Sequence, residues 1–125
     1  MVAKELTRAE EQVMQLLWQL NEAMVKEIIE LMPDPKPAYN TVSTVVRVLE
    51  TKGFIDHKAF GNTHVYFPLI GEMQYKKFAF DKMMSNYFSN SYKSLVSFIA
   101  NEKKLDIQQL DEISNLLEDL KNKKK

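Results

Sequence analysis

Apolar side chains recur at steps of three and four through the first stretch of the chain. Val13, Leu16, Leu17 and Leu20 form one helical stripe, and Met14 and Trp18 widen it. Ahead of them, Thr7-Arg8-Ala9-Glu10 has the capping-box pattern, in which the Thr oxygen accepts from an orphan amide and the Glu reaches back. The spacing predicts a helix that opens at Thr7 and closes at Asn21-Glu22. Ala23-Met24-Val25 is a short apolar run able to pair as a strand. Val25, Ile28, Ile29, Leu31 and Met32 predict a second, short helix. Pro33 must stop it, because Pro33-Asp34-Pro35-Lys36-Pro37 admits no helix.

A third helix is predicted over Tyr39–Lys52, with Asn40 or Thr41 as its cap and Gly53 closing it. Thr41, Val42, Thr44, Val45, Val46 and Val48 are β-branched, and their intrinsic preference is for strand. Periodicity argues the other way. Val42, Val45, Val46 and Leu49 fall at i, i+3, i+4 and i+7, while Asn40, Thr41, Ser43, Thr44 and Arg47 gather opposite. Phe54–Lys58 and Thr63–Pro68 then read as two strands around Ala59-Phe60-Gly61-Asn62, where Gly61-Asn62 supplies the positive-φ residues of a tight hairpin.

No strand pattern follows. Residues 72–89 read as an aromatic-rich helix with Phe80, Met83, Met84, Tyr87 and Phe88 on one side. Ser89-Asn90-Ser91 breaks it, Tyr92–Ala100 forms a short apolar helix, and Asn101-Glu102-Lys103-Lys104 reads as a polar turn. Asp106-Ile107-Gln108-Gln109 caps a last helix carrying Leu110, Ile113, Leu117 and Leu120, with Leu116 alongside, that ends in a frayed Lys-rich tail.

Composition narrows the chemistry. The 125 residues suit one domain, or one small domain with an oligomerisation element. There is no cysteine, which excludes disulfides, thiolate metal sites and thiol nucleophiles. His57 and His64 are too few for a His-built centre, so no metal is expected. Neither a Gly-rich phosphate loop nor a nucleophile–base pair is present, so no enzyme and no cofactor are expected. No apolar run approaches the roughly 18 residues of a membrane span. Met1–Glu5 opens no apolar leader, and a cytoplasmic protein off the membrane is expected. Lys and Arg number 17, as do Asp and Glu, a balance that taken whole argues against nucleic acid. The distribution is uneven, however: −4 over residues 1–35, then +2 over residues 36–70 and +2 over residues 71–125.

The order helix, short strand, helix, turn, helix, hairpin is that of a winged helix-turn-helix, in which the third helix enters the major groove and the hairpin lies on neighbouring phosphates. A mainly α chain is expected, with a winged helix-turn-helix DNA-binding domain at 1–70 and a helical dimerisation region at 71–125. Asn40, Thr41, Ser43, Thr44 and Arg47 on the helix, with Lys58, Asn62 and His64 on the wing, are the candidate DNA contacts. The alternative is a winged helix used only for protein contacts, without sequence-specific DNA binding. Phe80, Met83, Tyr87, Leu95, Ile99, Leu110, Ile113 and Leu117 are the candidate dimer contacts, since a monomer has little chain to cover them. Trp18 reads as core. His57 and His64 read as solvent-facing strand positions or phosphate contacts.

The chain also resembles the penicillinase-repressor (BlaI/MecI) family of transcriptional regulators. Leu6-Thr7-Arg8-Ala9-Glu10-Glu11-Gln12-Val13-Met14 with Leu17-Trp18 carries the likeness, as do Thr41 through Ile55, Val65-Tyr66 and Ser94-Leu95-Val96. The resemblance implies a homodimeric repressor of a palindromic operator, and partners that include a sensor protease pathway. In the best-known members the cut falls between Asn and Phe after a Leu-Val-Leu run. Here that place reads Leu95-Val96-Ser97-Phe98-Ile99, with Phe98 where the Asn would stand, so the cut is expected elsewhere, with Asn101–Lys104 the more accessible segment, or release by another signal. The cysteine motif of the copper-responsive branch is absent. Val48 stands where many members carry Arg, and Ala38-Tyr39 replaces a Ser-Pro helix start.

Overall fold

The computed structural model describes residues 5–102 and 105–124. Its elements run α1 (Arg8–Leu20), α2 (Val25–Glu30), α3 (Tyr39–Thr51), β1 (Ile55–Phe60), β2 (Thr63–Pro68), α4 (Glu72–Phe88), α5 (Tyr92–Glu102) and α6 (Ile107–Lys123). The chain divides into two compact units between Phe80 and Asp81, inside α4.

In the first unit the capping box forms as the pattern requires. The Glu10 amide donates to Thr7 Oγ1 at 3.2 Å, and the Thr7 amide donates to Glu10 Oε1 at 2.9 Å. Asn21 ends α1 with a φ of 72°. Ala23 makes a two-hydrogen-bond bridge to Tyr66 on β2, the single residue that survives of the strand expected at 23–25. α3 begins two residues earlier than a side-chain cap at Asn40 would allow, and three earlier than one at Thr41. Ala38 is its N-cap, and no side chain caps it. Its other end is a Schellman motif. The Gly53 amide donates to the Glu50 carbonyl and the Phe54 amide to the Leu49 carbonyl, each at 3.0 Å, with Gly53 at φ 85°. Phe54 and Leu49 are both fully buried, which supplies the apolar contact that accompanies this cap.

Ala59 and Phe60 belong to β1 rather than to the hairpin loop. The strands pair antiparallel from Ile55↔Pro68 to Phe60↔Thr63, leaving a two-residue turn. Only Gly61 of that turn takes positive φ (62°), whereas both Gly61 and Asn62 were expected to do so. Glycine first is the arrangement of a type II′ turn, which needs no left-handed second residue.

Val13, Met14, Leu17, Ile28, Val42, Val46, Leu49, Phe54 and Ile55 are the centre of the core, and Val45 packs half-buried at its margin. Ile70 and Tyr75 complete it from beyond the hairpin. Trp18 is half-buried against this core. Its indole N–H donates to the Ile70 carbonyl at 2.8 Å, and its ring lies 6.0 Å from that of Tyr75.

In the second unit Met84 is buried and the rings of Phe88 and Phe98 meet edge-on at 5.7 Å. Asp106 caps α6 by accepting from the Gln109 amide at 2.8 Å. Asn101 and Glu102 continue α5 instead of forming a turn, and Lys103 and Lys104 lie outside the described residues. α6 runs through Lys121 to Lys123 with Lys124 as its C-cap, so the lysines placed in a frayed tail are helical as far as they are described.

One ion pair ties α1 to the end of α3. Lys52 Nζ lies 2.7 Å from Glu10 Oε1, and Glu10 is only 6% exposed. Burial pushes the Glu10 carboxyl up, but the hydrogen bonds from Lys52 and from the Thr7 amide, with the charge of Lys52, outweigh it and hold the group below its ordinary value. Folding therefore favours the charged form. That contribution is complete above the unfolded carboxylate's pKa and is lost as pH falls through the lower folded value. Lys52→Met should cost about 1.5–3 kcal/mol at neutral pH, because it strips a buried carboxylate of a charged partner. In urea titrations the deficit should shrink between about pH 5 and about pH 3. A deficit unchanged across that range would show that the charge contributes nothing.

Candidate nucleic-acid interface

α3 divides its residues by face. Val42, Val46 and Leu49 are buried, while Asn40, Thr41, Thr44 and Arg47 are exposed and Ser43 is half-buried at the edge. The β-branched residues hold the helix because Val42 and Val46 lie in the core with Leu49, and burial of each such side chain is worth about 1.5–3 kcal/mol against tenths lost in propensity. Two exposed residues on the same outer face were missed as candidates, Val48 and Thr51. Helical spacing from Thr44 would have found them.

The hairpin stands beside this face. α3, the start of α2 and the two strands enclose a cleft of about 460 Å³ lined by Lys26, Tyr39, Ser43, Arg47, Glu50, His57, Asn62 and His64, among others. Four of the eight proposed contacts are thus placed in two groups around one concavity, Ser43 and Arg47 from the helix and Asn62 and His64 from the wing; Lys58, next to His57 on β1, is not among the lining residues. Asn40, Thr41 and Thr44 do not line the cleft.

Two contacts hold the wing in place. His57 Nδ1 lies 2.6 Å from Glu50 Oε2, which joins β1 to α3. Lys58 Nζ lies 2.8 Å from Glu22 Oε1, which joins β1 to the α1–α2 connection. His57 and His64 stack face to face across the strands at 4.3 Å between ring centres, with His57 half-buried and His64 exposed to solvent. Tyr66 packs near both rings. Burial raises its hydroxyl pKa, and the neighbouring Glu50 charge adds to the rise. Glu50, Asp56 and His57 each bring a potential ligand atom within 4.8 Å of the others. The first and last of them already bond to each other, and Asp56 accepts from the His57 amide at 2.8 Å.

The two wing tethers should differ in strength. Glu50 and His57 are each about one-third exposed, whereas Glu22 and Lys58 are half-exposed. His57→Phe keeps a ring for stacking and loses the bond to Glu50, at a cost of about 0.5–1.5 kcal/mol in urea unfolding. Lys58→Ala should change stability by no more than about 0.5 kcal/mol. A larger effect at Lys58 than at His57 would reverse this ranking of the two tethers.

Known proteins share this architecture. The penicillinase repressor family model matches residues 6–119. The chain is 28% identical over 123 residues to the penicillinase repressor of Bacillus licheniformis, a match that covers 97% of this chain and 95% of that one. It is 28% identical over 116 residues to the methicillin resistance regulatory protein MecI of Staphylococcus aureus (strain N315), across 90% of this chain and 93% of the relative. The solution structure of the DNA-binding domain of the repressor BlaI superposes with a TM-score of 0.52 at 29% identity, over 59% of this chain and 92% of that one. With a match that runs through both units and a winged helix in the first, this chain belongs to the penicillinase repressor family of DNA-binding transcriptional repressors.

Proposed function

We propose that the repressor works as a homodimer on a palindromic operator, with each α3 in the major groove and each β1–β2 hairpin over the adjacent phosphates. The observation that carries this reading is the one-sided burial of α3 beside a hairpin braced against it, which leaves a polar helix face and a wing on the same cleft. Asn40, Thr41, Ser43, Thr44 and Arg47 are the helix contacts, and Lys58, Asn62 and His64 the wing contacts. Lys58 reaches a phosphate by exchanging its exposed partner Glu22, an exchange that costs little. The division of labour follows residues 1–70 for DNA and 71–125 for dimerisation, and the protein acts where the DNA is, in the cytoplasm. No helix of the described residues is long and apolar enough to cross a membrane.

Support for the dimer comes from what the last three helices leave in water. Leu110, Ile113, Leu116, Leu117 and Leu120 form a row along α6 and are 39–57% exposed, and no residue of α6 is buried. Tyr87 is 78% exposed and Phe80 39%, while Met83, Leu95 and Ile99 are half-buried. A second copy covering these side chains gains about 1.5–3 kcal/mol for each one fully buried. It also holds two recognition helices about 34 Å, or a multiple of that, apart. A sensor protease pathway is the proposed release route. Leu95–Ile99 lies inside the continuous helix α5, so a cut there requires local unwinding first.

Arg47→Ala should weaken operator binding by about 1–3 kcal/mol if Arg47 reads a base, and should lower the salt slope of binding by about one if it holds a phosphate. A folded Arg47→Ala protein with unchanged affinity and salt slope would remove Arg47 from the interface. Sedimentation of the full chain should show a dimer at micromolar concentration, and Leu117→Glu should shift it to monomer. A stable wild-type monomer would overturn the dimer reading.

A further inference from the structure

The outward face of α3 carries two strips, divided by Arg47. On one side Ser43, Arg47 and Glu50 border the cleft beneath the wing. On the other, Thr44, Val48 and Thr51 follow one another at i, i+4 and i+7. With Arg47 and Lys52 they line a shallow depression of about 370 Å³.

The hydroxyls of this second strip are turned back onto the helix. Thr44 Oγ1 donates to the Asn40 carbonyl at 2.8 Å and accepts from Arg47 Nη2 at 3.4 Å. Thr51 Oγ1 donates to the Arg47 carbonyl at 3.0 Å. Each hydroxyl proton is therefore committed to α3's own backbone. Val48, between them, is 37% exposed and has no polar group at all. With those protons committed, the two oxygens can only accept, and the rest of what these three side chains offer a ligand is methyl surface, on the side of the helix that the core does not use. Among base edges in the major groove, the feature that apolar surface recognises is the thymine 5-methyl group.

We propose that the Thr44–Val48–Thr51 strip reads thymine methyl groups, and that Val48 is a specificity-determining residue. This rests on α3 being the recognition helix. It makes that helix a reader of two kinds: hydrogen bonding and charge through Arg47, apolar contact through the strip beside it. Each operator half-site then contains thymine where the strip meets the bases.

The test uses the full-length chain. Duplexes are selected from a randomised pool, and each thymine of the selected sequence is then replaced singly by deoxyuridine, which removes the methyl and keeps every hydrogen-bonding group. At one or two thymines of each half-site the wild-type affinity should fall about three- to tenfold, and for Val48→Ala the same replacement should cost no more than about twofold. Val48 is partly exposed, and an unchanged thermal melt confirms that Val48→Ala is folded. Thr44→Ser and Thr44→Val separate the chemistries: a methyl reader loses its uracil sensitivity with Ser and keeps it with Val, whereas a hydroxyl reader keeps its affinity with Ser, loses it with Val and is indifferent to uracil. Uracil replacement that is neutral throughout, or losses that neither Val48→Ala nor Thr44→Ser alters, would overturn the proposal while leaving DNA binding standing. If no duplex survives selection above non-specific binding, the recognition-helix reading itself fails, and the proposal with it.

Discussion

Burial of one face of α3 is the constraint on which the first unit depends. Val42, Val46 and Leu49 enter a core already furnished by Val13, Met14 and Leu17 of α1 and by Ile28 of α2. That burial holds a β-branched segment as a helix, and it also sets the helix's rotation about its own axis. Once those three side chains point inward, Thr44, Arg47, Val48 and Thr51 have only solvent, or a ligand, to face. The composition of the outer face is thus free to serve recognition, because stability is carried elsewhere.

The ends of α3 are held with equal care. At its C-terminus the Schellman turn at Gly53 reverses the chain and drops Phe54 into the core, which starts β1 against the helix it has just left. Lys52, the last residue before that turn, closes on Glu10, whose carboxylate also caps α1. One acidic side chain therefore joins the beginning of the first helix to the end of the third. The wing is tied to the same helix through Glu50 and His57, so helix and hairpin border one cleft.

The second unit is built on a different balance. Its helices are capped and regular, yet α6 buries none of its leucines, and the only fully buried apolar side chain described there is Met84. A hydrophobic row of that kind is stable in water only if something covers it. The first unit, by contrast, covers its own apolar stripes: Val13, Met14, Leu17, Ile28, Val46, Leu49 and Phe54 are almost completely removed from water. The proposed division between recognition and association follows this difference in burial.

Periodicity and capping chemistry alone were enough to read six helices, the hairpin and the inward face of α3, because these depend on local spacing and on residues a few positions apart. Thr7 with Glu10, Asp106 with Gln109, and Gly53 as a helix terminator are visible in the chain as written. Boundaries were less legible. Ala38 rather than Asn40 or Thr41 caps α3, since the position of a helix start follows from where the packed face must begin, and Asn101-Glu102 continues α5 despite its polar composition. Pairings between residues far apart in sequence belonged to the tertiary structure entirely. Glu10 meets Lys52, Trp18 bonds to Ile70, and His57 stacks on His64 while bonding Glu50, none of which has a local signature. The direction of the Thr44 and Thr51 hydroxyls was decided there too. Composition marked both residues as polar, but a hydroxyl in a helix can bond the carbonyl one turn back, and what it then leaves for a ligand is its methyl group and an oxygen that can only accept.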